Sequence, residues 1–274
     1  MSFMTPGKVI VASKVDPAAV NIMRALLETF DFQPTDDQYD GEPVLTKGDL
    51  AMVQIRDDST SAERLGSHFS PEYYVFVSRH SSAMGLPSLT AHFPGNFTND
   101  ASRGGRPREL AHTFPALLKA YLKRLWDRRS DAPRYQVALE ATHHGPTGLD
   151  RPVLFVEIGS TDREWRDPAA ARLVSQVLME TLSSRPDSGT VGIGFGGPHY
   201  SEKFLRILVA SDHSLGAVAS KHVLGSIDDE ILHQMVQKSV QKVEVGFVDW
   251  KGLGDQKHSI LRMIESEGLK VVRV

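Results

Sequence analysis

Short apolar runs rich in β-branched residues alternate along this chain with stretches of helical apolar spacing, which restricts it to α/β folds. Lys8–Ser13 (KVIVAS) opens the series as a strand. Asp16-Pro17 supplies an N-cap and first-turn pair, and Val20, Met23, Leu26, Leu27 and Phe30 predict a helix over Pro17–Phe30. Leu50–Ile55, Tyr73–Ser78, Tyr135–Ala141, Val153–Ile158, Thr190–Ile193, Val243–Val248 and Lys270–Val274 read as further strands. Phe114–Trp126, Asp167–Leu182, Ser201–Val209, Asp228–Val240 and Lys257–Ser266 read as helices, and Thr161 with Glu164 fits a capping box. The expected fold is α/β, with a mixed, largely parallel central sheet and helices on both faces. Residues 1–274 are expected to form one catalytic domain, with a long functional loop and basic region at 81–134. Its irregular part, Ser81–His112, is of a length usually kept for function.

Cysteine is absent, so disulfide scaffolds, thiolate zinc sites and cysteine nucleophiles are excluded, and any transition metal must be held by His, Asp, Glu or water. Met1–Lys8 holds no apolar run behind a charged start, and nothing approaches about 18 consecutive apolar residues. A soluble, cytoplasmic protein with no membrane partner is expected, as a monomer. The net charge of −3 predicts no general attraction to nucleic acid, DNA included. Charge is unevenly spread, however: Ala101–Arg134 carries nine basic residues against three acidic ones, including Arg103, Arg106, Lys119 and Lys123. Such a stretch is either a polyanion-binding patch on an acidic body or a solvated helix face.

Reactive side chains collect where strands end. Tyr74–Ser78 runs into His80, Ser81 and Ser82; Leu89-Thr90 leads to His92 and Asn96; Gln136–Leu139 leads to Glu140, His143 and His144; Val153–Val156 leads to Glu157 and Ser160; Gly192–Gly197 leads to His199 and Tyr200. In open α/β sheets ligands bind outside the carboxyl ends of the strands, so these segments are expected to converge. His with carboxylate is a zinc ligand set when thiolates are missing, and a metal-free His or Glu that activates water fits equally well. No HExxH helix motif is present around Glu140 and His143, and no serine sits in a GxSxG elbow. Gly192, Gly194 and Gly197 form a literal GxGxxG, but Pro198 interrupts the step into a helix and no acidic strand end follows at the dinucleotide spacing. They read as a glycine turn near a ligand, or simply a tight strand-to-helix turn. Trp250 and Lys251 after a strand either stack a base and touch a phosphate or pack on the sheet edge.

Taken together, Ser78-Arg79-His80-Ser81-Ser82, Leu86–His92 with Gly95-Asn96, Glu140–Thr147 (EATHHGPT), Glu157–Ser160, Gly192–Tyr200 and Asp249–Gly252 resemble the D-aminoacyl-tRNA deacylase family of archaeal and plant type. The blocks follow family order over nearly the whole chain. One departure is visible: where the family pattern places a Gly-His pair before a Lys, this chain has Gly216-Ala217 and then Lys221-His222, so that His is lost or replaced by His213 or His222. The resemblance implies hydrolysis of the ester joining a D-amino acid to the tRNA 3′ end, releasing free D-amino acid and tRNA as chiral proofreading in translation. It also implies a fold like that of peptidyl-tRNA hydrolases and Zn²⁺, two ions per subunit.

On that basis His80, His143, His144, His199 and Glu140 are expected to be catalytic. His80, His143, Glu157 and His92 are the expected metal ligands. Gly194, Gly196 and Gly197 amides are expected to bind the oxyanion, with Ser81, Thr90 and Asn96 on the substrate. Arg103, Arg106, Lys119, Lys123, Lys251 and Trp250 are expected to meet tRNA. Two other functions use parts of the same residue set. A zinc-dependent amidohydrolase or peptidase on small substrates needs the histidines but not the basic stretch, and a non-catalytic tRNA-binding module needs only the basic stretch.

Overall fold

The computed structural model describes residues 6–274; Met1–Thr5, part of the opening read as lacking an apolar leader run, lie outside the described residues. β1 (Lys8–Ser13) leads into α1 (Pro17–Thr29), and β2 (Gln33–Tyr39), β3 (Glu42–Lys47) and β4 (Leu50–Ile55) follow. Next come β5 (Tyr73–Ser81), β6 (Ser88–His92), α2 (Pro115–Asp127), β7 (Gln136–Leu139), β8 (Val153–Ser160), α3 (Asp162–Trp165) and α4 (Pro168–Leu182). The chain ends with β9 (Thr190–Phe195), α5 (Glu202–Ala210), β10 (His213–Ala219), α6 (Asp229–Gln237), β11 (Val243–Val248), α7 (Lys257–Ser266) and β12 (Lys270–Arg273).

The strands form two sheets. The larger has the order β2-β3-β4-β1-β5-β8-β6-β7, the smaller β10-β9-β11-β12. β4, β1, β5 and β8 are parallel, as is the whole smaller sheet; β6 and β7 run parallel to each other and antiparallel to β8. β1 and β8 are near-continuous apolar runs because both their faces are covered. On one face of the larger sheet, α1, α2 and α4 bury Ile10, Val75, Val77, Val156 and Ile158, and that core continues to Phe204, Leu208 and Phe247 of the smaller sheet's layer. The other face of the larger sheet packs Val9, Val11, Phe76 and Phe155 under Leu65, Phe69 and Leu149, which come from short turns and loops. The smaller sheet has α6 and α7 residues on its second face.

Four strands escape the apolar-run pattern. β2 (QPTDDQY) and β3 form an exposed polar hairpin, β10 (HSLGAVA) is small and glycine-containing, and β6 is five residues long inside the stretch read as irregular.

Candidate active site

Strand periodicity builds the site on the larger sheet's face opposite α1, α2 and α4. Along β5, Tyr74 and Phe76 are buried among apolar side chains and Ser78 and His80 follow on the same face. In the paired register Ser78 lies beside Glu157 of β8, while Thr90 and His92 of β6 lie opposite Glu157 and Phe155. The face therefore turns from apolar to polar within a few residues. Glu140 directly follows β7, and His199-Tyr200 follow β9 of the smaller sheet. A β-bridge between Glu140 and Tyr200 and the Ala141 N–H to His199 O bond (2.8 Å) join the two. Thr142 strengthens the join: its N–H donates to Val218 O at 2.9 Å and its hydroxyl accepts from Val218 N–H at 3.0 Å.

Glu140 is fully buried at the centre. Its Oε2 stands 2.9 Å from His199 Nε2 and 3.7 Å from His143 Nε2, and its Oε1 stands 3.2 Å from His80 Nδ1. Glu157 lies 3.5 Å from His80 Nδ1 and 3.9 Å from His92 Nε2. Burial disfavours an imidazolium at His80, but the carboxylates of Glu140 and Glu157 beside its Nδ1 outweigh this and hold its pKa up to about 10. Burial likewise opposes the carboxylate of Glu140, yet the hydrogen bond with His199 and the nearby His80 and His92 keep it ionised well below the usual range. At His143 and His144 burial dominates, reinforced by the charge of His92, and both are pushed down, His144 to about 4. These two imidazoles are neutral and have lone pairs to offer.

The hydrogen bonds fix where those lone pairs point. His92, His143 and His144 each use Nδ1 on a backbone carbonyl, of Phe93 (3.2 Å), Ala141 (2.8 Å) and Gly145 (2.6 Å), which leaves Nε2 of each facing inward. Metal-binding histidines are commonly oriented this way. His92 Nε2 and Glu140 Oε1 are buried without a hydrogen-bond partner, an arrangement that costs about 1–3 kcal/mol per group unless something else satisfies it. Among the described residues three groups could hold a metal ion: His92, His143 and His144; Glu140, His143 and His199; and His80, Glu140 and Glu157, with donor atoms within 4.8 Å of one another in each.

A cavity of about 500 Å³ opens onto this cluster, lined by His80, His143, His144, Glu157, His199 and Tyr200 and by Ser81, Arg79, Asp58 and Arg103 at its mouth. A recess of about 230 Å³ containing Asn96 shares Arg103, His143 and His144 with it. The expected catalytic residues therefore do converge, but the expected ligand set divides. His80 and Glu157 belong to one group, His92 and His143 to another, because β6 enters antiparallel and sets His92 level with Phe155, deeper in the sheet than His80. Thr90 is wholly buried beside Glu157, with an unpartnered hydroxyl, and does not reach the cavity. Asn96 donates to Gly104 O and Arg106 O and so shapes the loop around the recess.

None of the three glycines expected to bind the oxyanion lines the cavity. Gly194 lies within the β9 ladder between β10 and β11, and the Gly196 N–H donates to Ala219 O at 2.8 Å. Gly197 is pressed against the Gly252 backbone, where a Cβ added at Gly252 would stand 2.2 Å from Gly197 N. These glycines let two chain segments approach each other.

The basic stretch is not one surface either. Arg108, Arg128 and Arg134 are paired with Asp228, with Asp131 and Glu180, and with Asp167. Lys119 and Lys123 line a separate groove with Ser184–Asp187, and exposed Arg106 pairs with Glu109 at 3.4 Å. The ring of Trp250 already carries Arg273 at 3.5 Å and Lys257 at 4.3 Å, and Lys251 is exposed on the same loop of the smaller sheet. Of the expected tRNA contacts, Arg103 alone lines the site. Ala217 is buried in the smaller sheet, His213 packs edge-on against Phe247 and His222 is exposed, so neither histidine joins the cluster.

Tyr200 is a site residue to which the sequence reading gave no role. Its hydroxyl hydrogen-bonds His80 Nε2, and the only hint of it in the sequence is its place beside His199. Asp16, read only as a helix cap, does cap α1 through Oδ1; its Oδ2 accepts the Arg79 N–H at 2.8 Å, which anchors the end of β5 at the cavity wall.

The D-aminoacyl-tRNA deacylase family model matches residues 67–272, which carry every histidine and carboxylate of the cluster. The chain belongs to the D-aminoacyl-tRNA deacylase family. Curated family members agree over their full length. The D-aminoacyl-tRNA deacylase of Cenarchaeum symbiosum (strain A) is 35% identical over 263 residues, 96% of this chain and 98% of that one. The D-aminoacyl-tRNA deacylase of Thermococcus onnurineus (strain NA1) is 35% identical over 274 residues, 97% and 99% of the two chains. The crystal structure of a conserved protein of unknown function, AF0625, superposes with a TM-score of 0.90 at 28% identity, covering 99% of this chain and 96% of that one. Among the described residues no helix is long and apolar enough to cross a membrane.

Proposed function

We propose that this chain hydrolyses the ester between a D-amino acid and the 3′ end of tRNA in the cytoplasm, releasing both for reuse. The observation that carries the reading is a buried cluster of two carboxylates and five histidines at the floor of a polar cavity, in a chain of the deacylase family. Glu140 does not line the cavity, whereas His199, half exposed and 2.9 Å from it, does. His199 is thus the base placed to take a proton from water, with Glu140 holding its ring and stabilising the imidazolium that forms. The Tyr200 hydroxyl, held by His80, is the donor for the developing oxyanion in place of the glycine amides. Arg103, at the mouth shared by both cavities, meets a phosphate of the tRNA end.

Zinc fits the donor set. His92, His143 and His144 would hold one ion through their Nε2 atoms, and His80, Glu140 and Glu157 a second. Bound zinc would lower the pKa of its water to about 7 and polarise the ester carbonyl. We take the chain as a single catalytic unit, since one core runs beneath both sheets and the site draws residues from each. The test is deacylation of D-Tyr-tRNA by purified protein, with and without a chelator. Cleavage supports the reading and loss on chelation supports the metal; tRNA binding without cleavage would contradict the enzymatic role.

A further inference from the structure

A second cavity, larger than the catalytic one, lies beside it. A groove of about 830 Å³ runs between the C-terminal end of α2 (Trp126, Arg129), β7 and the start of α5 (Leu205, Arg206). β7 is the edge strand of the larger sheet. The N–H groups of Gln136 and Glu140 donate to Pro87 O and Ala91 O on the β6 side, so strand periodicity turns the main-chain groups of half-buried Val137 to the open edge, while Leu139, which faces the same way, is buried. An uncovered strand edge is a ready pairing surface. Both walls lead into the catalytic cluster: β7 continues into Glu140, α5 is preceded by His199-Tyr200, and the Glu140–Tyr200 bridge closes the groove's inner end. Tyr200 lines the groove and the catalytic cavity alike.

We propose that this groove receives the single-stranded nucleotides preceding the ester-bearing 3′ nucleotide of the tRNA, an inference that rests on the deacylase reading. When the terminal nucleotide occupies the catalytic cavity, the strand behind it must leave past Tyr200, and the groove begins there. Half-buried Trp126, with Arg129 stacked at 4.7 Å, offers a base platform with a cation beside it. Exposed Arg129 and Arg206 face phosphates. Of the two acids of the wall, Asp127 stands 3.8 Å from Lys123 outside the groove, and Glu202 stands 3.9 Å from Arg206 in an exposed pair that a phosphate displaces at little cost. β7 offers N–H and C=O groups to base edges.

The experiment compares wild type with the double variant Arg129→Glu, Arg206→Glu on two substrates, D-Tyr-tRNA and D-tyrosyl-adenosine. Reversal of two exposed arginines on α3 and α4, Arg163→Glu with Arg172→Glu, controls for net charge, and melting temperatures control for folding. The groove variant is expected to lose about tenfold or more in kcat/KM on the tRNA, mainly through KM, and nothing on the nucleoside ester. A labelled ACCA tetranucleotide is expected to bind wild type and not the groove variant. Wild-type turnover of tRNA by the groove variant, equal losses on both substrates, or an equal loss in the control variant would each overturn the proposal. The first of these, with no tetranucleotide binding, would leave the β7 edge to an extended peptide. Failure of wild type to cleave either ester would instead remove the deacylase reading and this inference with it.

Discussion

Replacing Glu140 by Gln removes one charge from the centre of the site and almost no volume. The carboxylate now serves His199 through Oε2 at 2.9 Å and faces His80 through Oε1 at 3.2 Å. An amide has one acceptor oxygen, so whichever imidazole meets the NH₂ group must turn or change tautomer. If His199 is the base, it loses the partner that orients it and stabilises its charged form. A positioned general base is worth about 10²- to 10⁴-fold, and a loss of that order is expected. The structural cost is smaller. One buried polar group left unsatisfied costs about 1–3 kcal/mol, and for a chain near this size each kcal/mol lowers Tm by about 2–4 °C. The variant should therefore stay folded at the assay temperature. The assay is single-turnover deacylation of D-Tyr-tRNA with enzyme in excess, paired with tRNA binding and thermal melting. The expected result is a folded protein of unchanged tRNA affinity whose chemical step is slowed at least about a hundredfold. A wild-type rate would refute the central role of Glu140, and a rate loss matched by lost affinity would move it from chemistry to binding.

Tyr200→Phe removes a donor at the cavity wall and should lower kcat by about 10²-fold with little change in KM; an unchanged kcat in steady-state assays would exclude the oxyanion role. His92→Ala, distant from the substrate but within one donor group, should lower bound zinc, measured by plasma emission, while leaving the other group loaded. Unchanged zinc content would remove His92 from the ligands. Arg103→Glu should weaken tRNA binding and flatten its dependence on log salt by about one unit, read by filter binding across a salt series. At Gly104 φ is +81° and an added Cβ would stand 2.0 Å from Thr60 O, so Gly104→Ala should destabilise by more than ~1 kcal/mol in denaturant titrations and loosen the loop that carries Arg103.

The elements legible in the sequence are those whose stability is local or whose burial is two-sided. α1 and α4 announce themselves through Asp16-Pro17 and Asp167-Pro168, and both aspartates cap their helices as expected. β1, β5 and β8 show as apolar runs because they lie in the sheet interior. β2, polar and at an edge, and β10, built of small residues, carry no such signal; their pairing partners define them. Division into two sheets is likewise a matter of pairing, invisible to local pattern.

In the site, His80 and Glu157 fall on one face by strand parity, and Glu140 with His143 and His144 stands out as a dense polar turn. What the sequence could not show is who meets whom. The reversal of β6 sets His92 with His143 and His144 rather than with His80, and the Glu140–Tyr200 bridge makes His199 the partner of Glu140. A literal glycine motif does not reveal whether its amides are free, and here the Gly196 amide is spent on Ala219. The basic stretch is dispersed by the fold: Arg108, Arg128 and Arg134 pair with Asp228, with Asp131 and Glu180, and with Asp167, and Lys119 and Lys123 line a groove apart from Arg103.

The proposed activity is defined by chirality at an ester carried by tRNA. The most direct measurement is release of tyrosine from D-Tyr-tRNA and L-Tyr-tRNA, side by side, by the same preparation. Rapid loss of the D ester while the L ester survives over the same interval is expected; equal rates for the two, or survival of both, would contradict chiral proofreading by this protein.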